Sequence, residues 1–149
     1  MLPEAIQLVI VTPERQLLRE SVVEVTLPGA DGELDILPGH APLMTELGIG
    51  ELSYRTTSGE TNHLAVIRGF AEVLQDRISV LAETAEKAEE IDVERAKQAL
   101  KRAEERIASA GSTSEIDWDR ASASLQRALV RIHVAELGMK RRTVPVSNA

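Results

Sequence analysis

Residues 77–107, RISVLAETAEKAEEIDVERAKQALKRAEERI, contain the change of pattern that decides the fold. The first six of them are rich in aliphatic and β-branched residues, which is typical of a short strand. From Asp92 onward the apolar residues recur at steps of three and four, which places them along one stripe of a helix. These residues are Val93, Ala96, Leu100, Ala103 and Ile107. The chain therefore passes from a strand-rich half to a helical half within this stretch.

The half before this boundary is a series of short apolar, β-branched runs. The predicted strands cover residues 5–11, 21–27, 33–37, 50–57, 61–68, 70–75 and 77–82. Turn signals such as Asp31-Gly32 and Ser58-Gly59 separate them at intervals of roughly ten residues, which favours an antiparallel sandwich or barrel. We expect eight to ten strands in a β domain that covers residues 1–87.

The half after the boundary predicts two helices. Asp92 is a suitable N-cap for the first, because its side chain can accept from the free N–H groups of the first turn. A second stripe begins after a Gly-Ser-Thr-Ser linker and has Asp117 as its predicted N-cap. Its members are Trp118, Ala121, Leu125, Ala128, Ile132 and Ala135. Gly138 lies just past this stripe, so the sequence predicts an antiparallel helical hairpin over 88–138 and a flexible tail over 139–149.

The whole chain is accordingly predicted to be α+β, with an N-terminal antiparallel β-sandwich followed by a two-helix hairpin. Alanine fills five of the eleven seam positions of this hairpin. An alanine methyl gains much less from burial than a leucine or isoleucine, which gains about 1.5–3 kcal/mol. Two interpretations follow: a hairpin that can both close and open, or alanines that simply permit close helix packing.

Composition excludes several classes of function. The chain has no cysteine, so neither a disulfide framework nor a thiolate metal site is possible. No apolar run approaches the roughly 20 residues that a membrane span needs. A net charge of -7 and only three aromatic residues argue against nucleic-acid binding. The charge is uneven, because residues 120–142 hold six basic residues against Glu136 alone.

Catalytic and metal-binding patterns are weak. There is no phosphate-binding loop pattern, and His40, His63 and His133 lack metal-ligand spacing. His40 lies between two prolines, so it is either a general base or a residue that stabilises a turn or contacts a partner. An enzyme that uses His40 with Glu33 or Asp35 would lack a nucleophile and a cofactor motif. We therefore predict no catalytic residues and no metal site.

Basic residues of the helices form a more suggestive pattern. Arg102 and Arg106 are four residues apart and share a helix face, and Arg127 and Arg131 do the same. These four side chains converge if the hairpin closes. Like charges on facing helices cost energy unless an anion or carboxylates join them, so the arginines form either an anion site or two solvated faces.

The stretch 28–43, PGADGELDILPGHAPL, strongly resembles the epsilon subunit of bacterial-type F-type ATP synthases. Further segments are similar to that family at 11–14 (VTPE), 69–73 (GFAEV), 80–83 (VLAE), 91–96 (IDVERA) and 128–136 (ALVRIHVAE). The resemblance covers roughly residues 4–137. The helix linker and the last ten residues are not matched motifs.

This resemblance implies a non-catalytic rotor subunit that couples proton-driven rotation to ATP synthesis. The sandwich would bind the gamma subunit and rest on the ring of c subunits. Glu33 stands at the family's ring-contact position, and His40 is a further expected partner contact. The subunit would lie on the cytoplasmic face of the inner membrane and meet the membrane only through the complex. The alternative is a stand-alone β-sandwich binding module with a helical oligomerisation tail.

The resemblance also implies a regulatory role for the hairpin. An extended hairpin would reach the catalytic alpha/beta head and inhibit ATP hydrolysis. Some members bind ATP in the folded hairpin. The pattern of residues that binds ATP in those members resembles residues of this chain in the hairpin and just before it. The matching positions are Glu86, Ile91, Asp92, Ala96, Arg102, Arg127 and Arg131. Residues 87–90 lack a proline that some ATP-binding members have. No cofactor is required, and ATP is the expected regulatory ligand.

Overall fold

A computed structural model describes residues 2–109 and 117–143, with side chains up to Lys140. The chain divides into two compact units, Met1–Lys87 and Ala88–Ala149. The first contains strands and the second contains helices, in the order that the sequence predicts.

Six strands form the first unit within the described residues. They are β1 (Ile6–Val11), β2 (Gln16–Gly29), β3 (Gly32–Ile36), β4 (Leu43–Thr56), β5 (Thr61–Val73) and β6 (Arg77–Lys87). Their order in the sheet is β1-β6-β5-β4-β2-β3, and β1 also pairs with β2. This last pairing closes five strands into a ring, to which β3 adds along β2. The sheet therefore curls around one interior.

The expected eight to ten short strands are wrong: β2 and β4 each begin several residues before the predicted strands, and the predicted break at Gly69 falls inside β5. β4 and β5 pair in one uninterrupted register from Leu43↔Val73 to Arg55↔Thr61. β5 continues through Arg68 and Gly69, whose φ angles are 56° and 140°. A Cβ on Gly69 would lie 2.1 Å from the carbonyl oxygen of Leu81, so only glycine fits beside β6 here. Cross-strand pairing thus overrides a local turn signal.

Strand direction also differs from the expectation at one place. The pairs β1–β2, β2–β3, β2–β4, β4–β5 and β5–β6 are antiparallel, as predicted. β1 and β6 are parallel, with Leu8 opposite Ile78 and Ile10 opposite Val80. These two strands lie at opposite ends of the unit's sequence, so no hairpin turn constrains their direction.

The interior of the first unit is aliphatic. Alternate residues of β1 point inward, since Ile6, Leu8 and Ile10 are at most 1% exposed and the residues between them are half-buried. Leu52, Leu64, Val66, Ile78 and Val80 continue the same core from the neighbouring strands. Burying each such side chain gains about 1.5–3 kcal/mol, which explains how a domain with almost no aromatic core residues holds together.

The second unit contains a short 3-10 turn, Ala88–Glu90, and the helices α1 (Val93–Ser109) and α2 (Trp118–Thr143). Both predicted N-caps are confirmed. The Asp92 carboxylate accepts from the N–H of Arg95 at 3.1 Å, and the Asp117 carboxylate accepts from the N–H of Arg120 at 3.2 Å. All five seam alanines are buried. They are Ala96, Ala103, Ala121, Ala128 and Ala135.

Two details of the predicted hairpin are wrong. The helix does not stop at Gly138: α2 continues through Thr143, so residues 139–143 are helical and only 144–149 of the predicted tail lie outside the described part. Gly138 is buried by packing against Ala88 and does not end the helix. Trp118, assigned to the seam, is 57% exposed, because the first turn of α2 precedes the tightly packed region.

Candidate functional site

A groove of about 460 Å³ lies between α1 and α2 and brings together the four arginines that the sequence singled out. Its lining residues are Ala99, Arg102, Ala103, Arg106, Ser124, Arg127, Ala128 and Arg131. None of these described lining residues is acidic. The convergence expected for a closed hairpin is thus present.

Small residues form the floor of this groove and basic residues form its walls. Ala103 and Ala128 are only 2% and 1% exposed, so the helices approach closely beneath the arginines. The guanidinium of Arg127 donates from Nη2 to Ser124 Oγ at 3.0 Å, which holds that side chain along α2. Arg102 and Arg106 are exposed on α1 and remain accessible to an incoming group.

Guanidinium groups arranged in this way recognise phosphates. Each presents several N–H donors in a planar fork that matches the oxygens of a phosphate. A groove with four of them and no lining carboxylate favours a compact polyanion over a monovalent anion. A triphosphate fits this description.

The other predicted nucleotide residues lie at the start of α1 or before it. Ile91 and Ala96 are 8% and 4% exposed, and Asp92 is exposed while it caps the helix. Asp92 precedes Arg102 by ten residues, or about 15 Å along the helix axis. Glu86 lies on β6 of the first unit. Sequence reasoning missed Ser124, although its spacing of three from Arg127 on a helix indicated a shared face.

A second concave surface of about 770 Å³ lies on the first unit. It is lined by Thr26, Pro28, Gly29, Gly32, Glu33, Asp35, Ile49, Gly50, Glu51 and Ser53. Glu33 and Asp35 alternate on β3 and are both exposed, so they share one face. This surface is acidic and open, and it includes the position expected to contact the c-ring.

His40 follows β3 in the turn before β4. Its Nδ1 lies 2.6 Å from the carbonyl oxygen of Ala41, to which it donates, and the N–H of His40 donates to Leu37 at 3.1 Å. The imidazole is therefore engaged within its own turn. Its role as a partner contact stays a prediction.

Ionisable side chains of β2, β3 and β4 interact beside the acidic surface. Arg55 donates to Glu24 at 2.8 Å, and this hydrogen bond lowers the pKa of the Glu24 carboxyl. Burial raises the pKa of Asp35, and its contact with the Glu24 carboxylate raises it further. Thr26 donates to Asp35 at 3.3 Å and acts in the opposite direction. The group is an ion pair with an adjoining carboxyl.

An exposed apolar patch crosses β4, β5 and β6. Phe70 lies opposite Leu81 on one side and opposite Glu46 on the other. Met44 is two residues from Glu46 and shares its face. Met44, Phe70 and Leu81 are 67%, 55% and 58% exposed. Three adjacent large apolar side chains on one sheet face indicate a surface that binds another protein. Strand prediction alone did not reveal it, because the patch depends on the register of three strands.

Residues 2–109 and 117–143 contain no cluster of histidine and carboxylate side chains that could hold a metal ion. Within the same residues, no helix is both long and apolar enough to cross a membrane.

Comparison with known families accounts for both units. Residues 5–88 match the ATP synthase delta/epsilon chain, beta-sandwich domain. Residues 89–136 match the ATP synthase delta/epsilon chain, long alpha-helix domain.

Individual relatives agree with these matches. The ATP synthase epsilon chain of Koribacter versatilis (strain Ellin345) is 55% identical over 102 residues, covering 68% of this chain and 71% of the relative. That of Geobacter sulfurreducens (strain ATCC 51573 / DSM 12127 / PCA) is 54% identical over 101 residues, covering 68% and 72%.

Solved structures show the same fold. A chain of the Euglena gracilis mitochondrial ATP synthase (OSCP/F1/c-ring) aligns with a TM-score of 0.72 and 26% identity, covering 93% of this chain and 84% of that one. A chain of the Tetrahymena thermophila mitochondrial ATP synthase central stalk and c-ring aligns with a TM-score of 0.57, covering 93% and 98%; at 12% identity it supports the fold alone. The sequence, the fold and these matches agree: the chain belongs to the ATP synthase delta/epsilon chain family.

Proposed function

We propose that this chain is the epsilon subunit of an F-type ATP synthase, a non-catalytic part of the central stalk that restrains ATP hydrolysis. The observation that carries the proposal is the match of both units, over residues 5–88 and 89–136, to the two domains of that family. The subunit lies on the cytoplasmic face of the inner membrane and is held there by its partners.

The sandwich provides the contacts with the rotor. The patch of Met44, Phe70 and Leu81 is the proposed gamma-binding surface, because burial of these side chains against a partner removes apolar area from water. The acidic surface with Glu33 is the proposed c-ring contact, where a carboxylate can pair with a basic loop. Together the two surfaces hold the subunit between gamma and the ring.

The hairpin provides the regulation. In the closed state the arginine groove is formed; in the open state the same side chains are free to meet acidic segments of the alpha/beta head. Contact with the head would block rotation in the hydrolysis direction. Opening a hairpin whose buried seam is mostly alanine costs little free energy, because little apolar area becomes exposed to water.

ATP is the proposed ligand of the closed state. Arg102, Arg127 and Arg131 neutralise the triphosphate, and Asp92 accepts from the adenine amino group near the start of α1. Glu86, Ile91 and Ala96 complete the proposed set. Because the two pairs of arginines face the same groove only when the helices lie side by side, ATP would shift the balance towards the closed hairpin.

Co-purification tests the main proposal. A tagged copy of the chain, expressed in its native host, should co-purify with the gamma subunit, the c-ring and the alpha/beta head. The competing function, a stand-alone sandwich module with a helical oligomerisation tail, instead predicts a complex with itself or with a sugar. Isolation of the tagged chain without any synthase subunit would reject the central-stalk assignment.

A further inference from the structure

Gly138 occupies an unusual place in the second unit. It lies in the interior of α2, which runs from Trp118 to Thr143, and it is buried. Glycine is among the least favourable residues in a helix interior, because it loses the most backbone freedom and buries no side chain. Its presence there requires a packing reason.

That reason is the close approach of the 3-10 turn before α1. A Cβ built on Gly138 would lie 2.7 Å from the Cβ of Ala88, closer than side-chain carbons pack. Ala88 is itself 5% exposed and cannot turn away, because the N–H of Ile91 donates to its carbonyl at 3.4 Å and fixes the turn. Any side chain at 138 would push α2 away from this turn.

The contact between Ala88 and Gly138 lies at the end of the hairpin opposite the linker. The segment 110–116 joins α1 and α2 at one end, so the residues before α1 and the last turns of α2 meet at the other, unlinked end. Ala88 and Gly138 therefore close the end from which a hairpin would open.

We propose that Gly138 and Ala88 form a latch that biases the hairpin towards its closed state; the proposal rests on the opening of the hairpin described under the proposed function. The glycine permits the close approach when the hairpin is closed. An alanine at 138 prevents it, because its methyl group would overlap that of Ala88.

Three variants of the full chain test the latch. Gly138→Ala should increase the open fraction roughly tenfold or more, since overpacking a tight contact is costly. Adding Ala88→Gly removes the opposing methyl group and should restore closure. Ser122→Ala, an exposed position on α2, raises helix propensity without touching the turn and should leave the open fraction unchanged.

Opening can be read directly because the chain contains no cysteine. Cysteines introduced at the exposed positions Lys97 and Glu136 carry a fluorophore pair whose energy transfer falls when the helices separate. Thermal melting gives a second readout. Helix propensity alone predicts that Gly138→Ala raises the melting temperature, whereas the latch predicts that it lowers it and that Ala88→Gly reverses the loss.

Two results separate the latch from the proposed regulation. If Gly138→Ala neither opens the hairpin nor lowers the melting temperature, the latch is wrong. If it opens the hairpin of the isolated chain but leaves ATP hydrolysis by the assembled synthase unchanged, the latch holds and the regulatory function is wrong. The combined proposal expects both the opening and a lower rate of hydrolysis.

Discussion

At the scale of individual residues, Asp92 combines an observed structural role with a proposed binding role. It accepts from the N–H of Arg95 and so begins α1, and it stands at the proposed adenine position. Removal of an N-cap costs about 0.5–2 kcal/mol by itself. The effect of substituting Asp92 must therefore be compared with the effect of substituting Asp117, an N-cap with no proposed ligand role.

ATP should raise the melting temperature of the isolated chain, more than ADP does. A ligand at about 100 times its Kd adds roughly 2.7 kcal/mol to the stability of the state that it binds. Arg127→Ala should abolish most of this shift, while Arg120→Ala, also on α2 but outside the groove, should not. Asp92→Ala should lose the shift as well, whereas Asp117→Ala should lower only the starting temperature. Calorimetric titration with millimolar ATP provides the decisive measurement, and absence of heat would remove ATP as the ligand.

The carboxyls of the sandwich predict a pH dependence at one residue. The raised pKa of Asp35 means that its contribution to stability is present below its ordinary pKa of 3.8 and is lost as the pH rises through its folded pKa. Asp35→Asn stays neutral and should therefore stabilise the protein at pH 7, by no more than about 1 kcal/mol because the group is exposed to solvent. The gain should vanish below pH 3.8.

Denaturant unfolding at a series of pH values measures this difference, with Glu33→Gln on the same strand as the control. Glu24 acts in the opposite sense. Arg55 lowers the pKa of Glu24, so this pair stabilises above the ordinary value of 4.5 and its contribution is lost as the pH falls. A gain from Asp35→Asn that grows towards acid pH would contradict the assignment.

At the scale of elements, the two helices are long but their contact is shallow. The seam positions that are fully buried are alanines, while the larger Leu100, Ile107, Leu125 and Ile132 are only half-buried. In proteins, most of the stability of a helix comes from the packing of its apolar face. Little apolar burial therefore opposes separation of the two helices.

Deletion of residues 90–149 should leave ATP synthesis coupled and raise ATP hydrolysis by the assembled enzyme. The first unit with its proposed partner surfaces remains, while the helices that we propose to reach the head are lost. Reversal of the charges of Arg127 and Arg131 to glutamate should act in the same direction but more weakly. Hydrolysis and synthesis rates of reconstituted membranes check both, and unchanged hydrolysis after the deletion would refute the inhibitory role.

At the scale of the whole molecule, the chain places its strands and its helices in separate units. The residues up to Lys87 form a closed sheet with its own aliphatic core, and the residues from Ala88 form a helical unit. The uneven charge follows the same division, since the basic residues of 120–142 all lie in the second unit. Under the proposed function, the first unit stays bound to the rotor while the second changes state.

A fragment of residues 1–87 should fold alone and bind the gamma subunit with nearly the affinity of the full chain. Phe70→Ser should weaken that binding, because Phe70 is at the centre of the patch. A hydroxyl group cannot replace the ring that gamma would bury. Arg55→Ala changes a side chain of the same sheet that is 45% exposed and should have little effect. Titration of labelled gamma measures the affinities, and a folded fragment with no affinity would show that the patch is not the gamma site.

The sequence by itself determined what depends on neighbouring residues. Short β-branched runs before residue 88, and apolar residues that recur every three to four positions after it, separated the strand half from the helical half. The side chains of Asp92 and Asp117 identified both helix starts, because a cap bonds to N–H groups only two or three residues away. The spacing of Arg102 and Arg106, and of Arg127 and Arg131, predicted two basic helix faces, and family resemblance supplied the function.

Only the tertiary structure decided what depends on residues far apart in the chain. A local glycine signal cannot distinguish a strand end from a strand that bends at Gly69, or a helix end from the packing of Gly138 against Ala88. The parallel pairing of β1 with β6 joins two strands that no hairpin connects. The patch of Met44, Phe70 and Leu81 depends on how three neighbouring strands are aligned. The arginine groove exists because buried alanines let two separate helices meet.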